Sequence, residues 1–248
     1  MLGAVLYEGP SLLTGDPIVA ILTGLGRSSK NAKIGDMLQT WILRADMEPT
    51  EAIRAEADSA ICGECPLKGS FSERRCYVNV GQGPLQVYRA WKRGAYAPYA
   101  TRNEMIEVTR GQKVRLGAYG DPAAVPVWVW EQITCESAGW TGYTHQWRNL
   151  KFDPRILDYC MASVEDEKGI EQLGFLFPRA RYFRVRAPGE ERLRGEQQCP
   201  AANEAGKKLT CAECLVCDGG AKAGIGFGGQ RSVSLAAHGR AGFERNWE

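Results

Sequence analysis

An α/β fold with mainly parallel strands is predicted by three features of this 248-residue chain. Short apolar runs alternate with helix-compatible segments through its second half, glycine and proline punctuate them, and polar residues stand where the runs end. The expectation is a single, partial TIM-barrel-like domain with a strand-rich N-terminal portion and a Cys-rich C-terminal metal-binding segment. Residues 1–198 should form the barrel-like part carrying a three-cysteine site. Residues 199–248 should supply a four-cysteine segment and the final strand of the same domain. A composition of 44% hydrophobic residues suffices for a substantial core.

The runs Ala4 to Tyr7, Ile18 to Leu22 and Met37 to Leu43 predict three strands. Between the last two lies GRSSKNAKIGD, whose Arg27, Ser28, Ser29, Lys30 and Asn31 offer donors to an anion; a solvated hairpin tip is the commoner use of such a loop. Pro49, Thr50 and Glu51 open a helix that continues through EAIRAEADSA, with proline in its first turn. Gly81-Gln82-Gly83 and Pro84 then feed a second helix, with Leu85, Tyr88, Ala90 and Trp91 on one face. Its free backbone N–H groups suit a phosphate, a carboxylate or the edge of a cofactor.

Beyond it, VRLGAYGD, VPVWVWEQITCESAG, WTGYTH, YCMASVE, DEKGIEQLGF and RYFRVRA alternate between strand and helix, the pattern of βα units. Loops leaving the strand ends carry the chemistry in such folds. Here those ends bear Gly120 and Asp121, His145 and Gln146, Ser163 and Glu165, and Arg184 and Arg186. APGEERLRGEQQ is charged and aperiodic, which predicts a solvated loop. A Gly-rich turn, a strand from Val233 to Ala237, His238 and a surface tail complete the chain.

A formal charge of +2 gives no electrostatic footprint of the size that dominates non-specific nucleic-acid binding, although weaker contact with nucleic acid stays open. No run approaches the roughly 20 apolar residues of a membrane span, and no basic region precedes the first apolar run. A soluble, cytoplasmic protein is expected, with oligomeric state unassigned.

Seven of the nine cysteines fall into two groups. Cys62, Cys65 and Cys76 are spaced C-x(2)-C-x(10)-C, and Cys199, Cys211, Cys214 and Cys217 are spaced C-x(11)-C-x(2)-C-x(2)-C. Neighbours two residues apart suit one metal centre better than a disulfide, which points to a reducing compartment. The four-cysteine group has the repeated spacing of iron-sulfur ligation, and Cys214, shared between two overlapping pairs, fits a 4Fe-4S cluster better than zinc. Zinc remains the competitor. The three-cysteine group has no histidine near it in sequence, so a zinc ion there needs a distant fourth ligand; on a four-iron cluster, three cysteines leave one iron open to a small molecule. Cys135 and Cys160 have no partner by spacing and are expected to be core thiols.

Three early cysteines followed by Tyr77, the Gly120-Asp121 pair at the next strand end and the terminal four-cysteine set together resemble the radical S-adenosylmethionine superfamily. More narrowly, SKNAKIGDMLQ, CYVNVGQGP, RLGAYGDPAAVP, GYTHQW and CPAANEAGKKLTCAECLVCDGG with AAHG are similar to a poorly characterised family encoded by phages and mobile elements. The resemblance implies that Cys62, Cys65 and Cys76 hold the cluster that binds S-adenosylmethionine, with Tyr77 packed beside it. Gly120 and Asp121 would meet the methionine amino group, Ser163 the ribose, and Arg184 or Arg186 the carboxylate. Cys199, Cys211, Cys214 and Cys217 would hold an auxiliary cluster. A reductant and a small-molecule cofactor are the implied partners, and the reaction is hydrogen abstraction by a 5′-deoxyadenosyl radical from an unassigned substrate, a nucleotide or DNA base being one candidate. Tyr143, His145, Trp147 and Trp128 would line the substrate side, with core packing the competing role of the tryptophans. The chain departs from the superfamily's C-x(3)-C-x(2)-C order.

The alternative is a zinc-stabilised phage or plasmid accessory protein that binds nucleic acid or a host protein without catalysis. Arg74, Arg75, Arg89, Lys92 and Arg93, interleaved with Tyr88 and Trp91, would then form a basic aromatic surface for single strands.

Overall fold

The computed structural model describes residues 2–26, 33–69, 74–97, 101–187, 189–202, 206, 209–220 and 231–237. The anion loop Arg27 to Asn31, the Gly-rich turn 221–230, His238 and the tail lie outside the described residues.

The apolar runs form strands at the expected places. They are β1 (Gly3–Pro10), β2 (Pro17–Thr23), β3 (Leu38–Arg44), β4 (Lys113–Tyr119), β5 (Gly139–Thr141), β6 (Tyr143–Thr144), β7 (Met161–Val164), β8 (Tyr182–Arg186), β9 (Glu196–Gln198) and β10 (Ser232–Ala236). Helices α1 (Pro49–Arg54), α2 (Ser59–Cys62), α3 (Gly83–Lys92), α4 (Arg102–Thr109), α5 (Val127–Thr134), α6 (Glu167–Leu176) and α7 (Cys211–Cys214) connect them. Two five-stranded sheets result, ordered β1-β2-β3-β4-β5 and β6-β7-β8-β10-β9. The pairings of β1 with β2 and β2 with β3 are antiparallel, and all others are parallel.

The fold is therefore mixed α/β with largely parallel sheets, and the described strands close no barrel. The interruption falls at Gly142, between β5 and β6. Its N–H donates 2.9 Å to the Cys217 carbonyl, and its own carbonyl accepts from Met161 N–H at 3.0 Å. A loop carbonyl thus takes a hydrogen bond that a neighbouring strand takes in an unbroken ladder.

β2 is buried from Ile18 to Leu22, and α5 covers the same sheet with Val129, Trp130 and Ile133. Each such side chain contributes roughly 1.5–3 kcal/mol by leaving water. Trp130 also donates from Nε1 to the Pro122 carbonyl at 2.9 Å, which fixes the turn after β4. At that turn Gly120 has φ +81°, and an added Cβ would stand 2.6 Å from the Ile42 Cβ. Only glycine lets β3 and the end of β4 approach so closely.

Four local expectations are corrected. The helix opened by Pro49 does not run through EAIRAEADSA: it stops at Arg54, Glu56 turns to φ +52°, and a new turn of helix starts at Ser59. The buried face of α3 is Pro84, Val87 and Tyr88. The charged stretch after Ala187 contains β9, because Glu196 is buried against Arg184 and neutralised by it. Cys135 is exposed, whereas Cys160 is buried. Among the described residues no helix is long and apolar enough to cross a membrane.

Candidate metal centres

The first thiol set is gathered by polar contacts at the ends of parallel strands. Cys62 closes α2, whose Ile61 carbonyl accepts from the Asp121 N–H at 2.6 Å. Asp58, at the head of α2, is buried and accepts from Arg74 Nη1 at 2.7 Å. That ion pair joins the start of the cysteine loop to its end, two residues before Cys76. Gly63 follows with φ +50°, where an added Cβ would lie 2.1 Å from Gln146 Oε1. Gln146 occupies that space: its Nε2 donates to the Cys62 carbonyl at 2.9 Å, and its Oε1 accepts from Glu64 N–H at 3.2 Å.

Asp121 organises the other side. Its carboxylate accepts from Ala123 N–H at 3.0 Å, Thr144 Oγ1 at 2.8 Å and the His145 N–H at 2.8 Å. Those donors tie the end of β4 to the end of β6 and point His145 toward the cysteines. His145 Nδ1 stands 3.4 Å from Cys65 Sγ, and its Nε2 stands 3.5 Å from Glu165 Oε1, just beyond β7. Arg148 reaches the other oxygen of Glu165 at 3.4 Å.

Burial dominates the electrostatics. It pushes the Cys65 thiol up to about 12, with Asp121, Cys76 and Glu165 adding to the effect. Cys62 is raised by burial and then by Asp58, Cys65 and Cys76. His145 is pushed down to about 4 by burial and then by Arg148, so it is a neutral imidazole at pH 7.

The second set is built by the C-terminal segment. Cys199 follows β9 and donates its N–H to the Ser234 carbonyl at 2.9 Å. Cys211 and Cys214 lie on α7, which carries a capping box: Thr210 N–H donates to Glu213 Oε2 at 2.7 Å, and Glu213 N–H to Thr210 Oγ1 at 3.3 Å. The N–H groups of Cys211 and Ala212 donate to the Lys33 and Ile34 carbonyls, both at 2.9 Å. Arg181 holds the following loop through the Val216 and Gly219 carbonyls and pairs with Asp218. Burial raises all four thiols, and Cys199 and Cys217 are raised further by their neighbours in the set. Tyr143 packs against the cluster that contains Cys217, and Arg115 of β4 lies near Tyr143 and Cys211. Among the described residues no three His, Cys, Asp or Glu side chains already stand in coordinating positions.

The other expected site residues have partners of their own. Asp121 is engaged by its three donors. Arg184 forms a bidentate pair with Glu196, Nε at 2.7 Å and Nη2 at 3.0 Å, and also pairs with Glu190. Arg186 donates from Nη2 to Gln198 Oε1 at 2.6 Å. Ser163 is buried, and its carbonyl accepts from Trp147 Nε1 at 2.8 Å. Trp147 is core, and Trp128 meets Tyr7 edge-on. Tyr77 is 64% exposed, so it is not packed into the first set. A cavity of about 410 Å³ lies beside β7 and β8, lined by Glu165, Asp166, Glu167, Lys168, Arg184 and Glu190.

The residue that the sequence places at a polar strand end and on the substrate side, and not among the metal ligands, is His145, 80 positions from Cys65. Its rarity was the available signal, since the chain has just two histidines. The basic aromatic surface is largely satisfied internally: Arg74 pairs with Asp58, Arg89 with Glu48, and Lys92 lies over the Trp91 ring at 4.5 Å.

No protein-family model matches the chain, and neither does any curated protein or solved structure.

Proposed function

We propose that the chain is a two-centre iron-sulfur protein resembling radical S-adenosylmethionine enzymes, with an unassigned substrate. The observation that carries this reading is that Tyr143 packs against the cluster containing Cys199, Cys214 and Cys217, while His145, two residues on, stands 3.4 Å from Cys65. One short stretch of chain therefore borders both cysteine groups. In this reading β3, β4, β5 with β6, β7, β8 and β10 follow one another much as in an open barrel, with β5 and β6 as successive pieces of one strand position and β9 beyond β10 at the edge.

In this reading Cys62, Cys65 and Cys76 hold one 4Fe-4S cluster, and Cys199, Cys211, Cys214 and Cys217 hold an auxiliary one. Clusters held there, once reduced, would supply the one-electron chemistry that radical S-adenosylmethionine enzymes use. Asp121 fixes the strand ends around the cofactor, and does so through backbone donors in place of a direct contact with the methionine amine. Arg184, paired with Glu196, shapes the wall of the 410 Å³ cavity in place of binding the carboxylate. The excess of carboxylates in that cavity suits a ligand bearing a sulfonium and an ammonium group.

The test is anaerobic purification with assay of iron and sulfide, where two clusters predict about eight irons per chain. Reduction in the presence of S-adenosylmethionine should release 5′-deoxyadenosine from the wild type and not from Cys65→Ala. Colourless protein holding only zinc would overturn the reading. The second reading, a zinc-stabilised accessory protein, is favoured by one observation: the His145 imidazole offers the three-thiol set a fourth donor.

A further inference from the structure

We infer that His145 is a fourth protein ligand of the centre held by Cys62, Cys65 and Cys76, closing that set with an imidazole. The inference rests on the proposal that these three thiols hold a metal, and it takes that metal to be a single tetrahedral ion.

The first support is distance. A thiolate about 2.3 Å and an imidazole nitrogen about 2.0 Å from one tetrahedral ion stand about 3.5 Å apart. Cys65 Sγ and His145 Nδ1 are 3.4 Å apart. They have the separation of two corners of one coordination tetrahedron. On a four-iron cluster Cys65 and the imidazole would bind different irons and stand much farther apart than this, so the separation is that of a single ion.

The second is the far side of the ring. Nε2 faces Glu165 Oε1 at 3.5 Å, and that oxygen is buried with no hydrogen-bond partner. Binding through Nδ1 leaves the proton on Nε2, aimed at the carboxylate. Metal-bound histidines commonly present their second nitrogen to a carboxylate in this way, which fixes the tautomer and strengthens the donor.

The third is anchorage of both partners. The His145 N–H is held by Asp121 at 2.8 Å. The adjacent Gln146 side chain bonds the backbone of Cys62 and Glu64 on the opposing loop. The contact is thus framed by backbone and side-chain bonds on each side. A consequence follows for the proposed chemistry: a small molecule that takes the fourth position must displace the imidazole, which makes His145 a gate on cofactor entry.

Cobalt(II) titration of the metal-free full chain tests this, because cobalt reports tetrahedral thiolate sites whatever the native metal. Wild type should bind two equivalents. His145→Ala should weaken one of them by about tenfold or more and leave the other unchanged. His145→Cys should restore affinity and raise the sulfur-to-cobalt absorption of that site by about one third, as three thiolates become four. Two wild-type affinities in His145→Ala would overturn the inference. If His145→Ala does not fold, His145→Cys decides alone: the rise supports the imidazole ligand, and an unchanged absorption rules it out. Iron and sulfide content of the anaerobic protein is a separate measurement, so an iron-sulfur reading and a histidine ligand can fail independently.

Discussion

The carboxylate of Asp121 accepts the backbone N–H of His145 at 2.8 Å, so a strand-end acid positions the imidazole that meets Cys65. Burial holds this carboxyl at about 6 instead of 3.8. A raised folded-state pKa means that the folded protein keeps a proton the unfolded chain has lost. The contribution of Asp121 to stability is thus greatest below about pH 4 and falls as pH rises to about 6, by roughly 3 kcal/mol in all. Urea unfolding of wild type and Asp121→Asn at pH values from 4 to 7.5 should show this slope only in the wild type; parallel curves would refute the assignment.

Glu196→Gln should destabilise the fold by about 3–5 kcal/mol, because Arg184 is buried and loses its bidentate partner. Replacing both residues, as Arg184→Met with Glu196→Leu, should cost much less than Glu196→Gln alone. Denaturant midpoints of the three proteins check the order.

Arg74→Ala should lower metal affinity at the three-cysteine set by about tenfold and leave the four-cysteine set unchanged, since the Asp58–Arg74 pair spans only the first loop. Competition with a chelator, read separately for the two sites, distinguishes this from a general loss of structure.

Gly63→Ala should mimic loss of the Gln146 strap. The substitution meets both a φ of +50° and the Gln146 amide, so a cost of about 1–3 kcal/mol is expected, with weaker metal retention at the first set. Gln146→Ala should reproduce the metal phenotype without the backbone strain; retention equal to wild type in both variants would show that the strap has no role.

Native thiol labelling should find Cys135 before Cys160. Cys135 is exposed, while Cys160 is buried and its thiol is pushed up by that burial. Mass mapping after brief alkylation reports the order directly.

The parallel strands were legible because each is a short apolar run with a polar residue at its end. β9 was not, because Glu196 is charged and becomes a core residue only through Arg184, twelve positions away. α4 carries its own sign in the Thr101 and Glu104 capping box, which local spacing reveals. The cysteine groups were plain from spacing alone. The role of His145 was not, because its contact with Cys65 is made between the turn after helix α2 and the turn after β6, and leaves no local pattern. Asp121 and Arg184 illustrate another limit: Asp121 does follow the end of β4 while Arg184 stands in the middle of β8, and the partners that engage both come from elsewhere in the chain.

The Asp58–Arg74 pair makes the first cysteine loop a ring that is fastened before any ion arrives. Much of the entropy of gathering distant ligands is then lost on folding and not on binding. Uptake becomes the seating of an ion between donors already on one tether, and escape requires that tether to open. Exchange of the first centre should therefore be governed by the lifetime of a buried ion pair, and depend only weakly on ionic strength.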